Sequence, residues 1–370
     1  MTLTRVAIFS FADIDNYGDI LFSHIVRREL QLRRDDLIVD FISPTEARVG
    51  DEWYRAYDRD EIDGKYDALV LAGGEVVHFF DRRSWDPIYE RRGVSVPSGR
   101  ASDVVWDWAD LQSRTKAWLS VGVRPFEDQA DPSRVAATLD KLDFISVRGV
   151  LSRKILEGGE YLEVDDRIRV TPDLGWLFPR LLRPESGGLE SPPAALTAPE
   201  EPYAVFQFHN ITEAECSRIA EMLREFKDAT GLRVVLVPVI HLWNDRASMQ
   251  PIIDAAGGEI EMPDEKLEPF EILRIVAGAT VVMSSSLHVA ITALACAIPA
   301  AVFNKWPGTK FQDLFGLQMR AEMFIRSVED IPAALTGLLA ERDNPVALRS
   351  YRDFMAASLD RTFDELAAVL

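Results

Sequence analysis

Short, unbroken apolar runs recur along this chain, with helical patterns between them. In the first half they are "RVAIFSF" (Arg5–Phe11), "LIVDFI" (Leu37–Ile42), "DALVLAGG" (Asp67–Gly74), "AWLSVGV" (Ala117–Val123) and "DFISV" (Asp143–Val147). Strands with one wet face alternate apolar and polar residues. Runs that do not alternate suit strands buried on both faces, which is the condition of a parallel sheet covered by helices. Between the first two runs, "DILFSHIVRREL" places Ile20, Leu21, His24, Ile25 and Leu30 at mostly helical spacing. The stretch from Arg82 to Trp108 has no clear period and reads as a long loop followed by a helix.

The pattern stops at "RPESGGLESPPAALTAPEEP" (Arg183–Pro202), rich in Pro, Gly, Ser and Glu, and then resumes. "YAVFQF" (Tyr203–Phe208), "RVVLVPVI" (Arg233–Ile240), "TVVMSS" (Thr280–Ser285) and "PAAVFN" (Pro299–Asn304) are the later strands. Thr212 and Glu215 form a capping-box pattern, and Asn244 is a second helix-cap candidate. The expected fold class is α/β: two doubly wound, Rossmann-like domains facing a cleft, with a helical C-terminus. The N-terminal domain spans 1–185, a linker 186–202, the C-terminal domain 203–330 and the terminal helices 331–370. Ligands of such sheets bind beyond the carboxyl ends of the strands.

Composition narrows the partners. With 60 acidic and 41 basic residues the net charge is −19. That argues against nucleic-acid binding, which needs a basic footprint, and against anionic lipid. An anionic small substrate would need a local basic pocket. Cys216 and Cys296 are the only cysteines, and neither a disulfide framework nor zinc spacing is present. "MTLTRVAIFSF" lacks a signal-peptide pattern, and no stretch of about 20 apolar residues forms a transmembrane segment. The expected localisation is cytoplasmic, and a homo-oligomer is compatible with the sequence.

Five motifs fall at strand ends. In "DNYGDI", Gly18 permits a tight turn and Asp19 can cap the next helix; equally, Asn16 or Asp19 with nearby N–H groups can grip a polar substrate. In "LAGGEVVH", Gly73 and Gly74 allow close backbone approach, and Glu75 or His78 can face the cleft or solvent. In "ISVRGVLSRKIL", Arg148 suits a carboxylate or phosphate, or a salt bridge; Arg124 in "SVGVRPF" is a second candidate. Asp173 in "VTPDLGWLF" is a base, a ligand-orienting group or a turn cap. Ser284, Ser285 and Ser286 precede a helix whose N-terminus attracts anions, and His288 projects there. A histidine so placed can be poised for proton transfer.

The order "NYGD", "LAGG", "SVRGVLS", "TPDLGW" and "SSSLHVAITALACAIPAAVFNKWPGTK" resembles the polysaccharide pyruvyl transferase family, over about Asn16 to Phe315. The resemblance implies a GT-B-like fold and transfer of the carboxyvinyl unit of phosphoenolpyruvate to two sugar hydroxyls, giving a pyruvate ketal and phosphate. The acceptor would be a polysaccharide or glycolipid precursor of exopolysaccharide or cell-envelope biosynthesis. Phosphoenolpyruvate is then a co-substrate, with no further cofactor and no metal. The resemblance makes His288 the general acid and Arg148 a donor-binding residue; on the chemistry of the reaction, Asp19 or Asp173 can accept a hydroxyl proton, and nothing in the sequence chooses between them. One departure stands out: where the family commonly has Arg two residues before the histidine, this chain has Ser286. Either Arg124, Lys305 or Lys310 replaces that charge, or the donor differs, or activity is lost. Two other readings fit the architecture: a glycosyltransferase using a nucleotide sugar, and a non-catalytic sugar- or phosphate-binding member.

Overall fold

A computed structural model describes residues 3–78, 89–90, 93, 95–96, 104–125, 132–158, 166–182, 201–241, 244–305, 309–313 and 323–370 of the 370-residue chain. The expected linker lies outside these residues except for Glu201 and Pro202, as does most of the loop expected from Arg82.

The first sheet contains β1 (Thr4–Phe9), β2 (Leu37–Ser43), β3 (Ala47–Val49), β4 (Glu52–Ala56), β5 (Ala68–Ala72), β6 (Thr115–Val121), β7 (Phe144–Val147) and β8 (Ile168–Val170). Their order is β3-β4-β2-β1-β5-β6-β7-β8, and every pair is parallel except β3 with β4. The second sheet contains β9 (Tyr203–Gln207), β10 (Arg233–Leu236), β11 (Val281–Ser284), β12 (Ala300–Phe303) and β13 (Phe324–Ile325), in the all-parallel order β10-β9-β11-β12-β13. The chain leaves β1 for one neighbour and returns to pair on the other side with β5; β9 lies likewise between β10 and β11. Those reversals open a crevice at the carboxyl ends of β1/β5 and of β9/β11, where such sheets bind ligands.

The main helices are α1 (Tyr17–Gln31), α2 (Val104–Asp110), α3 (Pro132–Leu139), α4 (Val150–Gly158), α5 (Glu213–Thr230), α6 (Asp245–Ala256), α7 (Pro269–Ala277), α8 (Leu287–Ala295), α9 (Ile331–Asp343) and α10 (Val346–Val369). The Thr212–Glu215 capping box opens α5, with both reciprocal bonds made. Asn244 precedes α6 but makes no side-chain cap bond.

One apolar cluster runs unbroken across both halves. It joins Val6 and Ile8 of β1, Ile20 and Phe22 of α1, and Leu177 and Phe178 of a 3₁₀ helix (Leu174–Leu182) to Val205, Val282, and Val289 and Ile291 of α8. The outer face of each sheet has its own cluster, around Trp108 and Trp118 in the first and around Phe206 and Leu223 in the second. The terminal helices divide between them. Ile331 and Leu335 of α9 pack on the second sheet, whereas Leu359 and Phe363 of α10 enter the shared cluster. Ion pairs fix α10 to the N-terminal half: Arg33 Nε to Asp364 Oδ1 at 2.7 Å and Arg180 Nη1 to Asp360 Oδ1 at 2.7 Å. The Arg180 guanidinium holds the Asp360 carboxyl below the ordinary carboxylate range. Among the described residues, no helix is long and apolar enough to cross a membrane.

Candidate active site

Segments at the carboxyl ends of β1, β5, β9 and β11 meet around a cavity of about 290 Å³. Asn16, Asp19, Glu75, Val76, Arg124 and Arg148 line it from the first half. From the second half come Gln207, His209, Asn210, Ile240, Ser285, Ser286, Leu287, His288, Phe303, Asn304 and Lys305. The halves also touch beside it, through a β-bridge between Asn16 and Ile240 and a 2.6 Å ion pair between Lys266 and Asp15.

On the β1 side, Asn16 is the helix cap: its Oδ1 accepts the Gly18 N–H at 3.2 Å. The cap expected at Asp19 therefore belongs to Asn16, and Asp19 sits buried in the first turn of α1. Gly18 is not a turn residue either. It lies within α1 without a positive φ, and a Cβ there would fall 2.0 Å from His288 Nδ1. The bare position makes room for an imidazole from the other half, which also stands edge-on to Phe22 at 5.0 Å. In the Gly18→Ala protein the ring must shift by an ångström or more; if His288 takes part in a reaction, misplacement on that scale costs about 10²-fold in rate. Turnover measured beside a circular-dichroism melt checks this: lost activity in a normally folded protein is the expected result, and unchanged activity contradicts it.

After β5, Gly73 and Gly74 adopt φ of +56° and +76°, a region open to glycine and strained for other residues. They pack under Phe22 and Asp19 and do not line the cavity, but their turn delivers Glu75 to it. His78 is buried, its pKa pushed down to about 3 by burial and by Arg124, so it stays neutral and away from the cleft.

Arg148 is 1% exposed. Its Nη1 lies 3.5 Å from Asp173 Oδ2, and its Nη2 lies 3.6 Å from Glu75 Oε1. Glu75 Oε2 pairs with Arg124, so one carboxylate spans two guanidinium groups. Gly122 leaves the space for Arg148, whose Nε a Cβ there would approach to 2.6 Å. Asp173 stands behind the cavity wall. Its Oδ1 accepts the Gly175 N–H at 2.9 Å, while Oδ2 faces both Arg148 and, at 3.8 Å, His288 Nε2. One buried carboxylate thus caps a turn with Oδ1 and lies close to two cavity residues with Oδ2.

In the second half, Ser284 belongs to the scaffold. Its hydroxyl donates to Gln207 Oε1 at 2.9 Å, and the Ser286 N–H reaches the same oxygen at 2.9 Å. Ser285 and Ser286 line the cavity, and Ser286 precedes α8 without a side-chain cap bond. Leu287 and His288 open α8, so its N-terminus, where backbone N–H groups lack intrahelical partners, faces the cavity. Thr292 Oγ1 donates to the His288 carbonyl at 2.7 Å and bonds Tyr17 OH at 2.8 Å, tying α8 to α1. Lys305 lines the cavity paired with Glu215. The side chain of Lys310 lies outside the described residues.

The halves interlock at a second glycine. A Cβ on Gly149 would fall 2.0 Å from Asp313 Oδ1, and that oxygen accepts the Ser152 N–H at 3.0 Å in the first turn of α4. Sequence reasoning passed over Gln207, His209, Asn210, Ile240, Phe303 and Asn304. The available signal was position: "FQFHN" leaves β9 much as the recognised motifs leave their strands. Among the described residues, no group of three or more His, Cys, Asp or Glu side chains is arranged to hold a metal ion.

The sequence profile of the polysaccharide pyruvyl transferases matches residues 16–305, well over half of the chain and the whole of the cavity lining. The chain belongs to the polysaccharide pyruvyl transferase family. No curated protein sequence matches it. Among solved structures, this polysaccharide pyruvyl transferase family member is similar to UDP-GlcNAc 2-epimerase from Neisseria meningitidis bound to UDP-GlcNAc. The TM-score is 0.60 at 10% identity, over 98% of this chain and 99% of that one. It is also similar to Methanocaldococcus jannaschii UDP-GlcNAc 2-epimerase in complex with UDP-GlcNAc and UDP, with TM-score 0.55 and 13% identity over 92% and 93% of the two chains. At such identities the likeness concerns the fold, and that fold is the expected GT-B-like pair of α/β domains.

Proposed function

We propose that this protein transfers the carboxyvinyl unit of phosphoenolpyruvate to two hydroxyls of a saccharide, forming a pyruvate ketal and releasing phosphate. The observation that carries the reading is the convergence of Arg148 and His288, one from each half, on the Oδ2 of buried Asp173 at the wall of one cavity. A guanidinium fixed in this way binds the donor's carboxylate or phosphate. The N–H groups opening α8 take the other anionic group. His288 is then the acid that protonates the methylene carbon. Asp173 and a bound dianion favour its imidazolium form, and the α8 N-terminus opposes it. Arg124 and Lys305 line the same cavity, paired with Glu75 and Glu215, and are the cations placed to take over from the arginine that Ser286 replaces. A precursor of exopolysaccharide or another cell-envelope glycan, modified in the cytoplasm, is the acceptor class we propose.

The test is incubation with phosphoenolpyruvate and a panel of methyl hexopyranosides and disaccharides, reading phosphate release and the ketal methyl signal by NMR. Stoichiometric phosphate and ketal are the expected result. Stabilisation against heat by UDP or GDP, with none by phosphoenolpyruvate and no ketal with any acceptor, would overturn the reading in favour of a nucleotide-sugar enzyme.

A further inference from the structure

A second histidine faces the cavity, and it has its own buried carboxylate. Asp245, at the start of α6, is fully buried. Its Oδ2 accepts three N–H groups: Gln207 Nε2 at 3.0 Å, Val239 N at 3.2 Å and Ile240 N at 3.0 Å. That oxygen is saturated and immobile. Among the described residues, Oδ1 is faced by His209 Nδ1, at 3.4 Å. The two atoms are within ion-pairing distance but not in hydrogen-bonding geometry; a small rotation of the ring would let Oδ1 accept from Nδ1–H and leave Nε2 as the working nitrogen. The His209 N–H donates to Ser285 Oγ at 3.1 Å, which ties the residue to the serine turn before His288. With that bond closed, the pair would have the arrangement by which a buried carboxylate orients an imidazole for proton transfer.

The proposed reaction leaves a role open for it. Two acceptor O–H bonds break, and two C–O bonds form to the donor's central carbon. The donor's π pair takes a proton to make the methyl group, and the C–O bond to phosphate breaks with its pair leaving on the phosphate. One hydroxyl proton therefore restores the proton that His288 gives to carbon, and the other departs with the phosphate. We propose that His209 is a second catalytic acid–base residue, which accepts an acceptor hydroxyl's proton and passes it to the departing phosphate, with Asp245 as its positioning residue. No outside oxidant, reductant or further reactant is needed. The inference rests on the pyruvyl-transfer reading. The charged groups facing the same space are Asp19, Glu75, Arg124, Arg148, His288 and Lys305.

The experiment compares wild type with His209→Gln and Asp245→Asn in phosphate release from phosphoenolpyruvate, with the saccharide panel, across pH. With His288 as the acid and His209 as the base, the wild-type profile is bell-shaped. In His209→Gln, kcat should fall about 10²-fold, the KM for phosphoenolpyruvate should move less than threefold, and the rise in rate on the acid side should vanish. In His209→Ala, added imidazole should restore part of the rate. Should Asp245→Asn fail to fold, ¹⁵N NMR of the wild-type imidazole replaces it: the Nδ1–H tautomer is expected, and the Nε2–H tautomer overturns the proposal. A His209→Gln protein with kcat within threefold of wild type and an intact acid limb overturns it while leaving pyruvyl transfer standing. A wild type that releases no phosphate overturns both.

Discussion

In the His288→Gln protein, phosphate release from phosphoenolpyruvate should fall by about 10³-fold, within the span usual for loss of a positioned acid. Glutamine fills a similar space beside Gly18 and Phe22 but cannot carry a proton to carbon. Binding should survive, because Arg148 and the opening N–H groups of α8 do not depend on the ring. The loss should therefore appear in kcat with little change in KM, the sign of an interaction made in the transition state. A variant that kept a tenth or more of wild-type turnover would remove His288 from the chemistry and move the search for the acid elsewhere in the cavity.

Asp173→Ala should destabilise the fold by about 3–5 kcal/mol, the usual consequence of leaving a buried partner charge uncompensated. Arg148 is 1% exposed and would lose its 3.5 Å contact with Asp173, and the carboxylate of Glu75 beside it is already shared with Arg124. The same substitution removes the acceptor of the Gly175 N–H at the entry to the 3₁₀ helix. Urea unfolding of wild type, Asp173→Asn and Asp173→Ala measures the effect. A loss below 1 kcal/mol in the alanine variant would mean that solvent or another side chain takes over the charge of Arg148.

Much of the architecture was legible because a strand covered on both faces leaves an unbroken apolar run, and the central strands β1, β5, β6, β9 and β11 are of that kind. The β3–β4 hairpin was missed because it is short and partly wet, with Arg48 and Trp53 outward. The two-residue β13 is too brief to show a period. Candidate residues named at strand ends were brought to one cavity wherever the side chain itself leads there, as with Asn16, Arg124, Arg148, Ser285 and His288. Reading failed where the reason for a residue lies far along the chain. Nothing near Gly18 announces His288, and nothing near Lys305 announces Glu215. His209 escaped notice because its meaning depends on a carboxylate 36 positions later that no local pattern marks.

The glycines at positions 18 and 149 bear on how such a chain can change. Each is an empty socket in one half, filled by a side chain from the other: His288 in the first, Asp313 in the second. The halves are keyed to each other. A hybrid that joins one half of this protein to the opposite half of a relative will fit only if both sockets and both keys travel together. Residue changes along these contacts should therefore arise in pairs, one on each side of the cavity.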